Sequence, residues 1–467
     1  VAEFRATHLP RNAAQPAAWT DLPTRDPAVA LRVPDWSPEE LGMLGSLLAG
    51  RAESLRRRPV ASIAESLAAA AAALVEEPRR RAEALRLLPA VTGYSPEMVE
   101  LVLDRMSRDW TPAALASLLR EPTSPAALDG WARGADGREY TLAGPRLALH
   151  VFSGNVTGVA VTALVRALLV KAPVLGKTAA GDPVLPVLFA GALAEVDAEL
   201  ADALAITYWA GGTEALERAA LHHADLAVVY GGPDAVRGIQ ALAAAGTRVV
   251  EHGPRLSAAF VTRDALTGEA EAADVAAAIA EAASTFDQQG CVSPHMVFVE
   301  SGGTIAPDAL AGVVFERMVE WARKVPVAAL NPGEQATLRG QREAAEFREL
   351  GGRASLFVDP DSPVTVVADH IEQAGPSCLN RFLRIHAVDD IQSGIAALAH
   401  VRDLLQTAGL ATGEGAADDI ASRLAAAGFT RICPIRAMPW PPPDWHHDGR
   451  HPLLELVRRV DREAGGA

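Results

Sequence analysis

Cysteine is scarce in this chain. Cys291, Cys378 and Cys433 are its three, and their odd count and wide spacing exclude a disulfide framework and any C-x-x-C metal site. Aromatic residues supply only 5% of the 467 positions, so with alanine abundant the helices are expected to pack through small side chains. A basic excess is also lacking: 43 Lys and Arg face 58 Asp and Glu, for a net charge of −15. That balance argues against nucleic-acid binding, which needs a basic face, yet leaves room for an anionic cofactor in a locally favourable pocket. The longest apolar stretch, 156–176, carries Arg166 and Lys171 and falls short of a bilayer span. The first thirty residues have no apolar core of the kind a signal peptide needs. The expectation is a cytoplasmic protein without a membrane span. The G-x-G-x-x-G fingerprint of ordinary dinucleotide-binding enzymes is missing as well.

What remains is an ordinary globular composition, 49% hydrophobic and 22% charged, long enough for two or three domains. Residues 1–40 carry Pro10, Pro16, Pro23, Pro27, Pro34 and Pro38 and read as an extended arm with short pieces of structure. From Ser37 to about Leu128 the pattern is helical. Ser37-Pro38-Glu39-Glu40, Ser95-Pro96-Glu97 and Thr111-Pro112-Ala113 each offer an N-cap followed by proline at the first helical position. Strand-like runs then cover 147–152, 174–177, 204–209, 224–230 and 248–251, alternating with helical segments. Such alternation predicts βαβ units and a parallel sheet, with ligands bound beyond the strand C-termini, where several glycines fall. A second α/β block runs from Ser257 to about Ala427, with strands at 296–300 and 382–386 and a helix near 308–324. The tail is too proline-rich around 438–445 for a helix or central strand, and a last helix is expected over 452–463. The division is an arm and helical region at 1–140, a cofactor-binding domain at 141–255, a cysteine-bearing catalytic domain at 256–427, and a tail at 428–467 suited to a subunit contact.

The chemistry-bearing residues fall in the turns. Phe286-Asp287-Gln288-Gln289-Gly290-Cys291-Val292-Ser293-Pro294 sets a cysteine after a polar turn and before the apolar run Met296-Val297-Phe298-Val299. There, backbone N–H groups and a neighbouring helix end would favour a thiolate; the competing reading is a buried structural thiol. Asn155, in Phe152-Ser153-Gly154-Asn155-Val156, follows a strand and precedes a helix. Its amide suits either hydrogen bonding into the crevice above the sheet or capping of that helix. Lys177, in Gly176-Lys177-Thr178, is a cation beside a cofactor ribose or a solvated side chain. Gly231-Gly232-Pro233-Asp234 opens a helix whose first N–H groups suit phosphate, or is only a tight turn. His295 is expected to pack on its strand, Cys378 and Cys433 to be inert packing residues, and 445–451, with His446 and His447, to be a structural tail rather than a metal site.

Taken in order, Asn155, Lys177, Gly231-Gly232, Glu251 and Cys291 resemble the landmarks of the aldehyde dehydrogenase superfamily. The more specific resemblance is to the fatty acyl-CoA reductase family, whose best-known members supply aldehyde to bacterial luciferase. It is carried by His150-Val151-Phe152-Ser153-Gly154-Asn155-Val156, Lys177-Thr178, Tyr208-Trp209 and Gln288-Gln289-Gly290-Cys291-Val292-Ser293-Pro294, and extends from about residue 90 to the tail. It implies an α/β fold of aldehyde-dehydrogenase type: a nicotinamide-binding parallel-sheet domain, an α/β catalytic domain and a helical N-terminal region. It implies that Cys291 attacks an acyl thioester of CoA or of an acyl-carrier protein, while Asn155 and the Cys291 N–H hold the oxyanion, such donors being worth ~3–4 kcal/mol each. NADPH, or NADH in its place, would then reduce the acyl-cysteine to an aldehyde. The implied cofactor contacts are Ser153, Lys177, Thr178, Gly212, Gly231 and Gly232. No metal is implied, and a homo-oligomer is expected by analogy. Arg79-Arg80-Arg81 reads as a solvated helix face, with the CoA diphosphate as the alternative contact.

The chain departs from the hydrolytic members of that superfamily in two places. Residues 374–382 replace the acidic Glu-x-Phe-Gly-Pro motif that grips the nicotinamide ribose. Glu251 lies in Val250-Glu251-His252-Gly253-Pro254, which resembles the general-base segment with His252 in an apolar place, and an insertion around 268–274 lengthens the spacing to Cys291. Glu251 either assists proton transfer or makes a structural hydrogen bond at the strand end. Two alternatives stand beside the reductase: an NAD(P)-dependent aldehyde oxidiser that releases free acid, and a non-catalytic scaffold or acyl-carrier partner of the same fold.

Overall fold

Five strands form an all-parallel sheet in the order Arg248–His252, Leu226–Tyr230, Ala148–Val151, Val174–Thr178 and Leu204–Tyr208. Ala148–Val151 and Val174–Thr178 are buried along their whole length, as expected when helices cover both faces of a parallel sheet. On one face Leu149, Val151, Leu175, Ala205 and Val229 pack with Leu41, Leu44 and Leu48 of the helix Pro38–Ala49. The first strand in sequence lies in the middle, and later strands are added to either side of it. The chain therefore reverses its direction of winding there, which opens a crevice at the strand C-termini. The computed structural model describes residues 2–370, 374–413 and 415–463, and groups them into one unit of Val1–Gly253 with Pro442–Ala467 and another of Pro254–Pro441.

In the first unit the proline-rich arm folds into a small sheet of Ala2–Arg5, Val29–Pro34 and Trp19–Leu22. It then covers the open edge of the large sheet: His8 and Ile206 exchange both backbone hydrogen bonds at 2.9 Å, so the edge strand is not left as a template for pairing. The helical region follows its start signals. Ser37 and Glu40 form a reciprocal capping box, and Ser95 and Thr111 each accept an N–H from the first turn of their helices.

The second unit is a seven-stranded sheet in the order Ala354–Val358, Thr365–Asp369, Phe382–Val388, Pro294–Glu300, Leu256–Val261, Leu405–Ala411 and Arg431–Pro434. Only the Ala354–Val358 edge runs antiparallel. The helices Glu269–Ser284 and Pro307–Lys324 cover one face through alanines and Leu310, Val314 and Met318. On the other face Phe260 and Phe298 stack at 5.2 Å, and Gly394 of the helix Ile391–Ala397 admits Phe298, whose ring comes within 2.9 Å of where a Cβ would sit.

One expectation needs correction. The tail forms no helix over 452–463: after a short turn at Leu454–Leu456, Arg458–Arg462 is a strand, antiparallel to Glu139–Ala143. Cross-strand partners decide it, with Arg462 ion-paired to Glu139 and Arg459 lying 4.2 Å over the Tyr140 ring. The segment 268–274, read as an insertion, lies at the start of the helix Glu269–Ser284. The end of the tail, 464–467, lies outside the described residues.

Asp197 joins the helical region to the sheet layer. Its carboxylate caps Ala198–Ala201 through Leu200 N–H at 3.1 Å, accepts from Ser66 Oγ at 2.6 Å, and pairs with Arg58. Burial would raise this carboxyl, but those three donors outweigh it and hold it at about 2, below its ordinary 3.8. A carboxylate depressed in the folded state stabilises fully above its unfolded value and loses that effect as pH falls through the folded one. Asp197→Ala is therefore expected to lose about 1–2 kcal/mol at pH 7. In thermal scans, the gap from the parent should shrink steadily below about pH 4.

Candidate active site

In the first unit the sequence-predicted cofactor residues all fall at one edge of the sheet, because all five strands run the same way. The loops after the first two strands touch backbone to backbone. A Cβ on Gly154 would meet Gly181 Cα and Ala179 Cβ at 3.0 Å, and one on Gly181 would meet the Gly154 carbonyl oxygen at 2.7 Å. Gly176, inside its strand, leaves room for the Phe152 ring, 2.7 Å from where its Cβ would be. Lys177 is buried, with Nζ 5.6 Å over the Trp209 ring. Burial lowers its pKa, while the Glu217 carboxylate pulls the other way. Glu217 also accepts the Gly212 N–H at 3.0 Å and so fixes that turn. Thr178 Oγ1 donates to the Thr207 carbonyl at 3.2 Å. Ser153 is half-buried.

Asn155 is exposed, and its carbonyl accepts from Tyr94 Oη at 2.6 Å. It does not cap the next helix: Val159–Leu169 begins after Gly158, which takes that position at φ +100°, a conformation glycine adopts freely. Gly232 precedes the helix Pro233–Leu242, whereas the Gly231 N–H is engaged by the His252 carbonyl at 3.2 Å. Glu251 points to the exposed side of its strand, where Gln240 Nε2 donates to its carboxylate at 3.0 Å. A buried cation, a close backbone cradle and a helix N-terminus together fit a dinucleotide. Of the three arginines at 79–81, Arg80 pairs with Glu195, and Arg81 with Glu100 and Asp104.

The sequence reading missed a polar cluster at the ends of the last two strands. His252 stacks between Tyr230 at 4.6 Å and His447 at 4.4 Å, with Trp445 beyond at 4.9 Å from His447. Asp448 and Glu455 lie 3.4 and 3.5 Å from its ring nitrogens. Burial opposes charging of His252, but these carboxylates outweigh it and hold its pKa above the ordinary value. Burial pushes His447 down to about 3, and the His252 charge adds to this. His252, His447 and Asp448 bring one ligand atom each within 4.8 Å of one another. The imidazoles stack at 14° to each other, so their in-plane lone pairs run side by side and do not converge on one ion. Arg450, 3.2 Å from His252 Nδ1, already supplies positive charge there. The one signal in the sequence was a histidine at an apolar position of the Glu251 segment.

In the second unit Cys291 is half-buried in the turn before Pro294–Glu300. The helix end near it is the C-terminus of Glu269–Ser284, whose partial negative charge does not favour a thiolate; this corrects the expected helix-end support. The loop is held instead by side chains. Ser257 Oγ donates to the Cys291 carbonyl at 2.7 Å and accepts from Thr407 N–H at 3.1 Å, and Gln288 Nε2 donates to Pro294 O at 2.8 Å. Phe286, Asp287 and Gln288 all have positive φ, and so do Leu379, Asn380 and Arg381, a state costing an L-residue roughly 1–2 kcal/mol. The two turns meet. Arg381 Nε donates to Asp287 Oδ1 at 2.8 Å, and Asn380 N–H donates to the Asp287 carbonyl at 3.0 Å. Burial pushes the Asp287 carboxyl up and the Arg381 guanidinium down, and their mutual attraction opposes both shifts. Residues 377–381, within the segment that replaces the acidic ribose-gripping motif, thus pack against the cysteine loop. Ser377 N–H also donates to His295 Nδ1 at 3.1 Å, and burial pushes His295 down to about 4. Burial lowers the Arg431 pKa, and the neighbouring Cys433 and Cys291 side chains oppose that shift.

A parallel-sheet unit with a dinucleotide cradle and a cysteine-bearing α/β unit define the class: a protein with the aldehyde dehydrogenase fold. Aldehyde dehydrogenase KauB from Pseudomonas aeruginosa superposes with a TM-score of 0.77 at 14% identity, covering 99% of this chain and 97% of that one. An NADP-dependent glyceraldehyde-3-phosphate dehydrogenase from Bacillus halodurans C-125 gives 0.73 at 16% identity, over 98% and 99% of the two chains. Residues 55–459 match the family model described as acyl-CoA reductase (LuxC), and the chain belongs to that family of oxidoreductases. A long-chain acyl-protein thioester reductase 2 of Photobacterium leiognathi is 26% identical over 400 residues, 82% of this chain and 78% of the relative. A long-chain acyl-protein thioester reductase of Vibrio harveyi is 23% identical over 401 residues, 83% and 79% of the two.

Gly154→Val places a branched side chain where a Cβ already crowds Gly181. Overpacking of this kind is expected to lower stability by about 1–3 kcal/mol. Titration should show nicotinamide nucleotide affinity falling at least ~10-fold, the equivalent of about 1.4 kcal/mol. Alkylation of Cys291 is expected to keep its parent rate.

Proposed function

We propose that this chain reduces a long-chain acyl thioester to an aldehyde, through an acyl-Cys291 intermediate and with NADPH as reductant. The observation that carries the reading is Cys291, half-buried in a loop whose left-handed turn and hydrogen-bonded carbonyl aim it at the start of a strand. Membership of the acyl-CoA reductase family supports the reaction class. The Cys291 sulfur attacks the acyl carbon; the carbon–sulfur bond to the donor thiol breaks, and that thiol leaves with a proton. Asn155 and the Cys291 N–H are the proposed donors to the carbonyl oxygen as it gains charge. The bound nicotinamide supplies a hydride to the acyl-cysteine carbonyl. Collapse of the resulting thiohemiacetal breaks the bond to Cys291, returns the thiolate and frees the aldehyde. Sulfur serves both steps because a thiolate attacks well and also leaves well.

Lys177 is proposed to face the cofactor ribose and its 2′-phosphate, with Ser153, Thr178, Gly212, Gly231 and Gly232 shaping the surrounding cleft. A buried cation in contact with an aromatic face and no hydrogen-bonded carboxylate supports NADPH over NADH. Glu251 is assigned a structural role at the strand end, because Gln240 engages its carboxylate and an efficient water base there would discharge the acyl-enzyme as acid. The relatives' names favour a protein-borne thioester as donor, with acyl-CoA as the small-molecule equivalent.

Intact mass spectrometry after mixing with a long-chain acyl-CoA or acyl-carrier protein tests the reading. An acyl adduct on Cys291 is expected, discharged to aldehyde on adding NADPH. Cys291→Ala should form no adduct and lose at least ~10³-fold in turnover. Discharge by water to free acid would replace the reductase reading with the oxidiser. No adduct from either donor would overturn it in favour of the scaffold.

A further inference from the structure

We propose that Asp287 and Arg381 are positioning residues for Cys291: their ion pair locks two left-handed turns together and sets the direction in which the loop presents its sulfur. This rests on the reading of Cys291 as the acyl-accepting thiol.

Three consecutive non-glycine residues with positive φ are unfavourable on their own, and here two such runs face each other. Phe286, Asp287 and Gln288 stand at +56°, +49° and +66°; Leu379, Asn380 and Arg381 stand at +64°, +56° and +63°. Backbone of this kind persists only where its surroundings over-determine it. Asp287 supplies that excess of constraint. Its Oδ1 accepts from Arg381 Nε, its Oδ2 from the Ala328 N–H at 3.0 Å, and its carbonyl from the Asn380 N–H. Two residues on, Gln289 Nε2 donates to Asn380 Oδ1 at 3.1 Å. Four residues on is Cys291, with its own carbonyl tied to Ser257. The start of the stretch, at Asp287 and Gln289, is thus referenced to Asn380 and Arg381, and its end at Cys291 to Ser257.

Neither charge of the pair is spare surface. Arg381 is 0% and Asp287 1% exposed at the side chain, and the guanidinium lies 5.3 Å over the Trp321 ring. A buried ion pair is often no more stabilising than well-packed apolar residues of the same volume, so stability alone does not account for it. Its distinctive property is direction: Arg381 Nε and Nη2 both meet Oδ1, at 2.8 and 2.7 Å, while Oδ2 takes the Ala328 N–H, so the carboxylate, and hence the Asp287 backbone, is held in orientation as well as position. Apolar packing offers no equivalent.

The test separates orientation from stability. Asp287→Leu combined with Arg381→Met removes both charges at once and leaves no uncompensated one, and Arg381→Lys keeps the charge but replaces the planar guanidinium with a rotatable ammonium. Each is compared with the parent by thermal denaturation, by the rate of Cys291 alkylation with iodoacetamide read by peptide mass spectrometry, and by single-turnover acylation from a long-chain acyl-CoA. Both variants are expected to fold, with acylation slowed about 10²-fold, as for a reacting group displaced by about 1 Å, and with the alkylation rate changed in parallel. Acylation within threefold of the parent in either folded variant would overturn the proposal. If the double variant does not fold, Arg381→Lys decides by the same threshold. A parent that alkylates at Cys291 but accepts no acyl group would instead remove the functional reading, and the alkylation comparison would still report on the lock.

Discussion

The contact on which the second unit's chemistry depends is the buried pair of Asp287 and Arg381. It is not a surface salt bridge, where screening and side-chain entropy leave little net energy. Breaking it from one side would leave an uncompensated charge in a dry interior, a loss of about 3–5 kcal/mol. That asymmetry makes the two left-handed turns mutually dependent: each is unfavourable alone, and neither relaxes without stranding a charge. The cysteine loop inherits its rigidity from this arrangement. The helix that precedes the loop in sequence ends before it with its C-terminus, so that helix gives a thiolate no support.

In the first unit the governing constraint is different. All five strands point one way, so every loop that follows a strand reaches the same edge, and the central position of Ala148–Val151 opens a crevice there. Glycine then decides how closely backbone approaches backbone. Gly154 and Gly181 let the first two loops touch, and Gly176 gives Phe152 its place. Lys177 ends its strand inside this crowded edge, desolvated and over an indole face. A cation so placed gains more from a bound phosphate than a solvated lysine does, because the effective dielectric is lower.

Local signals made much of this legible. Ser37, Ser95 and Thr111 announced helix starts because capping is chemistry within four residues, and the five parallel strands showed as apolar runs ended by glycine. Cys291 stood out because a polar turn before an apolar strand is a local contrast. The misses were all non-local. The inner strand Leu256–Val261 is buried at every position, so it carries no alternation to read. Arg458–Arg462 looks helical until Glu139, Tyr140 and Trp131, more than three hundred residues earlier, supply its partners. Arg381 read as part of a lost cofactor motif; its role emerges only when Asp287, 94 residues away in sequence, is beside it.

The tail illustrates why such pairings matter to function. His447 and its neighbours gave no metal spacing, and the fold does bring His447 together with His252 and Asp448. What it builds is a stack of rings enclosed by Asp448, Glu455 and Arg450. Arg450 donates to the Glu251 carbonyl at 2.5 Å, and the His252 carbonyl accepts the Gly231 N–H. The end of the Arg248–His252 strand is therefore held on one side by the tail and on the other by the glycine turn of the neighbouring strand. With the Glu251 carboxylate also held by Gln240, this stretch has little freedom to bring a water base into play. An acyl-thioester enzyme that forms aldehyde must suppress hydrolysis of its own intermediate, and a strand end fixed in this manner is one physical way to do so.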